Sequence, residues 1–243
     1  CPMMRSPSLS LTINDERIAI FSDLHSPLTR WDFLETARQE CKGQKIKTLI
    51  LAGDVTNADS VSDYAPKQAN AGLTQDVLTT RGLVADLCKQ FAKVYYIKGN
   101  HDYRYVKKLG YAGSFSEVMR DVLAIEGDGL TILDDDHIWI ENAAGRTYVC
   151  HPTTYSRNPL TVPKAISLKT RSHVIAGHCH HSALGVAPDG ESILIEAGGF
   201  FDSDKTDYLN NSSTFPKWVN GYSTVIDGMF NLVMEKASVS FRK

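Results

Sequence analysis

No apolar run in this chain approaches 20 residues, so no transmembrane helix is expected. The start, Met3-Met4-Arg5, lacks the apolar centre of a secretory signal; Cys1 and Pro2, ahead of two methionines, are left out of the argument. The five cysteines form neither a CxxC pair nor an even framework, which points to a reducing, cytoplasmic setting. Charge of either sign is scarce in excess: 26 basic against 28 acidic residues leave -2. That balance gives no general grip on nucleic acid or on an anionic membrane. Internal repeats, low-complexity tracts and linkers are also missing, and 243 residues read as one domain, 1–243, with a sizeable core.

What is there is a set of apolar runs that stop at polar residues. The most telling is Val94-Tyr95-Tyr96-Ile97, a strand that ends in Lys98-Gly99-Asn100-His101-Asp102. An amide, an imidazole and a carboxylate in succession have no ordinary use in a core. Burying one neutral polar group without a partner costs roughly 2–7 kcal/mol. Such residues belong to a site at the carboxyl edge of a sheet.

Four other runs end in the same way. Arg17 to Phe21 leads to Asp23-Leu24-His25, Lys47 to Ala52 to Gly53-Asp54, Thr147 to Cys150 to His151, and His173 to Ala176 to Gly177-His178-Cys179-His180. If the backbone stays extended, alternation puts Asp23 and His25 on one side, and His178 and His180 together. Helices are expected from Thr29 as N-cap, with Trp31, Leu34, Ala37 and Cys41 as its apolar stripe; over Gly72 to Phe91; and over Ser114 to Ile125, opened by a Ser114/Glu117 capping box. Tyr155 to Arg171 reads as a basic, proline-spotted connection. Tyr222 to Ile226 and Phe230 to Met234 read as a hairpin around Asp227-Gly228. The first half alternates strand and helix and should pair in parallel; the second should form a more antiparallel sheet.

Asp23, His25, Asp54, Asn100, His151, His178 and His180 supply two carboxylates, one amide oxygen and four imidazoles. One tetrahedral ion takes four ligands or fewer. Seven donors suit two ions that share a carboxylate and a water. Imidazole and oxygen without thiolate fit manganese, iron or zinc better than magnesium or calcium.

DxH, GD, GNHD, H and GHxH, in this order at five strand ends from Asp23 to His180, resemble the calcineurin-like metallophosphoesterase family. The resemblance implies a four-layer α/β/β/α sandwich with mixed sheets. It implies that Asp23, His25 and His180 hold one divalent ion, that Asn100, His151 and His178 hold a second, and that Asp54 bridges them, with manganese the ion of choice in vitro. It implies in-line attack of a metal-bridging hydroxide on a phosphate ester, with His101 as general acid aimed by Asp102. Arg104, Arg157, Tyr155 and Asn57 are the candidates to touch substrate. A phosphodiester, in a nucleotide or a short nucleic acid, is the substrate favoured by the residues around the motif. The alternatives are a phosphomonoesterase or protein phosphatase on the same site, and a non-catalytic protein-binding scaffold. His137, His173, His181, Cys150 and Cys179 read as packing residues. Phe200, Phe201, Tyr208 and Trp218 read as packing before base stacking.

Overall fold

The computed structural model describes residues 10–63, 72–202, 218–235 and 237–242. In order they form β1 (Thr12–Ile13), β2 (Arg17–Phe21), α1 (Trp31–Gly43), β3 (Thr48–Ala52), α2 (Leu73–Gln90), β4 (Lys93–Ile97), α3 (Arg104–Lys108), α4 (Phe115–Glu117) and β5 (Leu130–Ile132). The remainder comprises β6 (His137–Asn142), β7 (Gly145–Cys150), α5 (Thr161–Thr170), β8 (His173–Ala176), β9 (Ser182–Val186), β10 (Ile193–Ala197), β11 (Gly221–Ile226), β12 (Met229–Met234) and β13 (Ala237–Arg242). No helix among the described residues is long and apolar enough to cross a membrane.

Two sheets face one another. One has the order β13-β12-β11-β2-β3-β4-β5, the other β1-β6-β7-β8-β10-β9. Alternation along the strands makes the layers. Ile18, Ile20 and Ile50 point into the space between the sheets, where Ile138, Ile140, Val149, Ile175 and Ile195 meet them. Ala19, Phe21, Leu49 and Leu51 point outward and are covered by Leu34, Ala37 and Cys41 of α1 and by Leu83, Val84 and Leu87 of α2. On the other side Cys150, Val174, Ala176 and Leu194 pack with Leu160 and Ile166, at and within α5. The layers are therefore helices, sheet, sheet, helix, as the resemblance implied.

Several local expectations are corrected. Thr29 does not cap α1: its Oγ1 donates to the Leu24 carbonyl (2.8 Å), and Arg30 holds the N-cap position without a side-chain bond. Phe33 takes the buried place expected of Trp31, which is 44 % exposed. The Ser114/Glu117 capping box is present, but one turn of α4 passes into a π-helical turn over Val118–Val122. The stretch Tyr155 to Arg171 contains α5. Pro163 lies in its first turn, where the missing N–H would have had no partner anyway. The second sheet is less antiparallel than expected, because α5 makes a crossover and β7, β8 and β10 run parallel. The expected hairpin is β11–β12, and it extends the first sheet beside β2. Parallel β2, β3 and β4 thus end at one edge of their sheet, and parallel β7 and β8 end at one edge of the other.

Candidate metal centre

The loops after β2 and β3 are laced to each other. Asp23 N donates to Gly53 O (3.1 Å), His25 N to Asp54 O (3.0 Å) and Ser26 N to Val55 O (2.9 Å). The backbone is not extended there. Asp23, His25, Asp54, His178 and His180 all have positive φ, between 47° and 75°. Side chains rarely adopt this left-handed conformation, and residues held in it cluster at functional sites. The expected convergence of Asp23 with His25 therefore comes from sharp turns and not from strand alternation, and the turns send His178 and His180, expected together, to different donor groups. Gly99 shows the crowding. A Cβ at this position would collide with the Asp54 amide and carboxylate.

Two groups of donor atoms result. Asp23, His25 and His180 bring their donor atoms together, and so do Asp54, His151 and His178. In the first group His180 Nε2 is 2.9 Å from Asp23 Oδ1 and 3.1 Å from His25 Nε2. Asp23 Oδ1 is buried and accepts no hydrogen bond. Two imidazole lone pairs at that spacing repel unless a proton or cation lies between them, so these residues fit a metal ion. In the second group His151 Nε2 lies 3.2 Å from Asp54 Oδ2 and 3.0 Å from Asn100 Oδ1. Its Nδ1 donates to the Ala52 carbonyl (2.8 Å), which points Nε2 into the site. All seven expected donors are thus brought to two adjoining places, and His151 is at the strand end where it was sought.

The family profile described as calcineurin-like phosphoesterase matches residues 16–209 of the chain. The chain belongs to that family. Among solved structures, Vacuolar Protein Sorting 29 from Cryptosporidium parvum is similar at 13% identity and TM-score 0.52, over 94% of this chain and 98% of that one. Vps29 from Chaetomium thermophilum is similar at 12% identity and TM-score 0.50, over 94% and 100%. These likenesses are of fold. The comparison with curated proteins gave no significant match.

Electrostatics make the two donor groups of this calcineurin-like chain one centre. Burial alone would raise the Asp54 carboxyl, but the charge on His151 beside it and the contact with that ring outweigh burial, with His25 adding to the effect, and hold it well below the usual range. Burial would likewise raise Asp23, and His180, His25 and His151 hold it down. Conversely, burial would lower His151, but Asp54 beside it lifts the ring to about 10. His25 is also raised, against its burial, by Asp23 and Asp54.

The GNHD residues depart from expectation. Asp102 does not touch the His101 ring. Its Oδ1 accepts from Thr56 N (2.8 Å), and its Oδ2 from Gly99 N (3.2 Å) and Val55 N (3.4 Å). It staples the loops after β3 and β4 together. The residue that orients His101 is Asn57, whose carbonyl accepts from His101 Nδ1 (2.7 Å). Burial, opposed by Asp54 and assisted by His25 and Arg104, lowers His101 to about 3. The ring is therefore neutral, and its Nε2 accepts from Arg104 Nη2 (3.1 Å).

Arg104 is at the site as sought, with Nη1 on Asn57 O (3.0 Å) and Asp59 Oδ1 (3.1 Å). Asn57 Oδ1 is buried without a hydrogen-bond partner, while its Nδ2 donates to Asp59 Oδ2 (2.6 Å). Tyr155 meets the His178 ring edge-on at 6.4 Å between centroids. Arg157 is exposed, and among the described residues no hydrogen bond or ion pair links it to the centre.

Sequence reasoning missed two supports, Asp59 and Glu196, while Phe201 and Trp218 pack as read. Asp59 fixes both Arg104 and Asn57. Glu196 is buried in β10 and accepts from His181 Nδ1 (3.0 Å) and Leu160 N (3.0 Å), anchoring the loop that carries His180. A carboxylate inside the apolar run Ile193–Ala197 was the available signal. Phe201 and Trp218 flank the His180 ring at 4.9 and 4.3 Å. Phe200 packs in the core, as read; Tyr208 lies outside the described residues.

Proposed function

We propose that this chain is a dinuclear metal-dependent phosphoesterase that hydrolyses phosphodiesters of nucleotides or short nucleic acids. The observation that carries the reading is the pair of donor groups, buried except at the half-buried His178, with His101 and Arg104 beside them. Asp23, His25 and His180 would hold one ion; Asn100, His151 and His178 would hold the other; Asp54 would bridge them. Two divalent ions there, manganese first in vitro, would polarise a phosphoryl oxygen and acidify a water.

The chain's own residues do the rest. Arg104, held by Asp59, turns from the His101 ring to an ester oxygen. The anionic ester raises the basicity of His101 Nε2, which then takes up from solvent the proton that the neutral ring lacks. Nδ1–H stays on the Asn57 carbonyl, so this proton sits at Nε2 and is given to the departing oxygen. Asp102 keeps its place on the three amides throughout. A diester is favoured because its poor leaving group gains most from a proton donor, and because Arg104 can hold a second phosphate oxygen. The buried free cysteines Cys41, Cys88, Cys150 and Cys179 favour action in a reducing, cytoplasmic compartment.

The test is hydrolysis of bis-p-nitrophenyl phosphate against p-nitrophenyl phosphate, with manganese, iron or zinc. Faster turnover of the diester is expected. Strong preference for the monoester would overturn the diester reading. Bound metal with no turnover of either would favour the alternative, a protein-binding member of the fold.

A further inference from the structure

A cavity of about 680 Å³ opens between β7, the loop 152–156 and α5. Nothing in the reading above uses it. The loop is a wall common to this cavity and the metal centre. It begins at Pro152, next to His151, and Tyr155 in it meets the His178 ring. The Cys179 thiol, between His178 and His180, approaches the Thr154 carbonyl of the same loop at 4.0 Å. An ester held at the metal centre therefore has this cavity beside it.

The volume lies within the range typical of small-molecule sites, roughly 300–1,000 Å³. The lining is mixed. Cys150, Val162 and Ile166 are apolar, Tyr148 and Tyr155 are aromatic, and threonine and serine hydroxyls from the loop and α5 are set around them. One cation, Lys169, and one carboxylate, Asp136, balance each other. A phosphate-rich strand gains nothing from such a lining, since phosphate binding rests on an excess of basic groups. A flat heteroaromatic ring with a polar edge gains from it, its face against apolar and aromatic side chains and its edge against hydroxyls. Resting on the phosphoesterase reading, we propose that the cavity receives the uncharged nucleoside arm of the ester, so that the substrate is a small nucleoside-bearing phosphodiester.

Two readouts test this, one of them independent of turnover. The first is binding of the four common nucleosides, without phosphate, to the chelator-treated protein, followed by saturation-transfer NMR and calorimetry. Binding of at least one nucleoside is expected, weakened at least tenfold in Ala165→Trp, which fills the cavity from an exposed position. Thr161→Trp, one turn before Ala165 on α5 and also exposed, should act alike, which guards against a folding defect in one variant. The second is the ratio of kcat/KM for the p-nitrophenyl ester of that nucleoside 5′-phosphate over bis-p-nitrophenyl phosphate. A ratio of at least ten is expected, falling toward one in both variants. Nucleoside binding without turnover of any ester would keep the cavity site and sink the phosphoesterase reading. Turnover of both esters with a ratio near one, and no nucleoside binding, would overturn the cavity proposal alone. Binding or a ratio that both tryptophan variants leave unchanged would overturn it as well.

Discussion

The two halves of the metal centre are held in different ways. In the Asp54 half one imidazole is tied at its outer atom, His151 Nδ1 donating to Ala52 O, and Asp54 Oδ1 accepts from His101 N at 2.8 Å, while His178 meets the rings of His151 and Tyr155. In the Asp23 half the carboxylate is tied as well, Asp23 Oδ2 accepting from Ser22 Oγ and from His178 N (2.9 Å), but His25 Nδ1 and His180 Nδ1 are buried without hydrogen-bond partners. Those rings are placed by packing instead, His25 against His101 (4.6 Å) and His180 against Phe201 and Trp218. Hydrogen bonding at Nδ1 fixes the tautomer and raises ligand basicity, whereas packing fixes only position. The Asp54 half is therefore expected to bind its ion more tightly, and the Asp23 half to lose its ion first.

The largest expected effect comes from removing what joins the halves. Asp54→Asn should bring bound metal below two ions per chain, and lower turnover by more than the roughly 10–100-fold cost of losing an outer partner. Two ions retained at full occupancy would refute the bridging assignment. Next, His101→Ala should keep both ions and lose on the order of 10²-fold or more in turnover. Unchanged turnover would remove His101 from the mechanism. A smaller and one-sided effect is expected from Phe201→Leu. Affinity at the Asp23 half should fall about tenfold, as for a lost outer support, with the Asp54 half unchanged. Equal weakening of both ions would break the comparison between halves.

How far the site could be read from the sequence follows from the same contrast. The seven donors were legible because polar residues at the ends of apolar runs have few other uses. Their direction was right only for Asp23 and His25, which meet through left-handed backbone that no alternation rule describes; the same kind of backbone parts His178 from His180. The supports were harder to see. Asp102 bonds amides 46 and 47 residues away, and Glu196 bonds the Leu160 amide 36 residues away. Sequence spacing carries no record of such pairs. Most strands of both sheets were legible by apolar content; the two-residue β1, the final β13 and β9, whose residues are only half covered, were not. Helix α5 was hidden by Pro163 and by basic residues that suit an exposed face as well as a loop.

The smallest effect concerns stability away from the ions. Asp76 in α2 is buried, with Ser60 Oγ donating to one oxygen at 3.0 Å. Burial, offset in part by that bond and reinforced by Asp59, lifts its carboxyl to about 6. The folded chain then keeps a proton that the unfolded chain loses, so stability falls as pH rises from about 4 to about 6 and is level above. Asp76→Asn should flatten that slope, by roughly 1–3 kcal/mol across the window, in urea unfolding at pH 4.5 and 7. A slope unchanged in the variant would show that Asp76 does not set it.

The central claim is two ions in unequal halves serving one ester. Titration of the chelator-treated protein with manganese, reading bound ions and bis-p-nitrophenyl phosphate turnover on the same samples, tests it most directly. Two ions should bind in two separable steps, with turnover rising only in the second. Saturation at one ion, or two bound ions with no turnover, would contradict it.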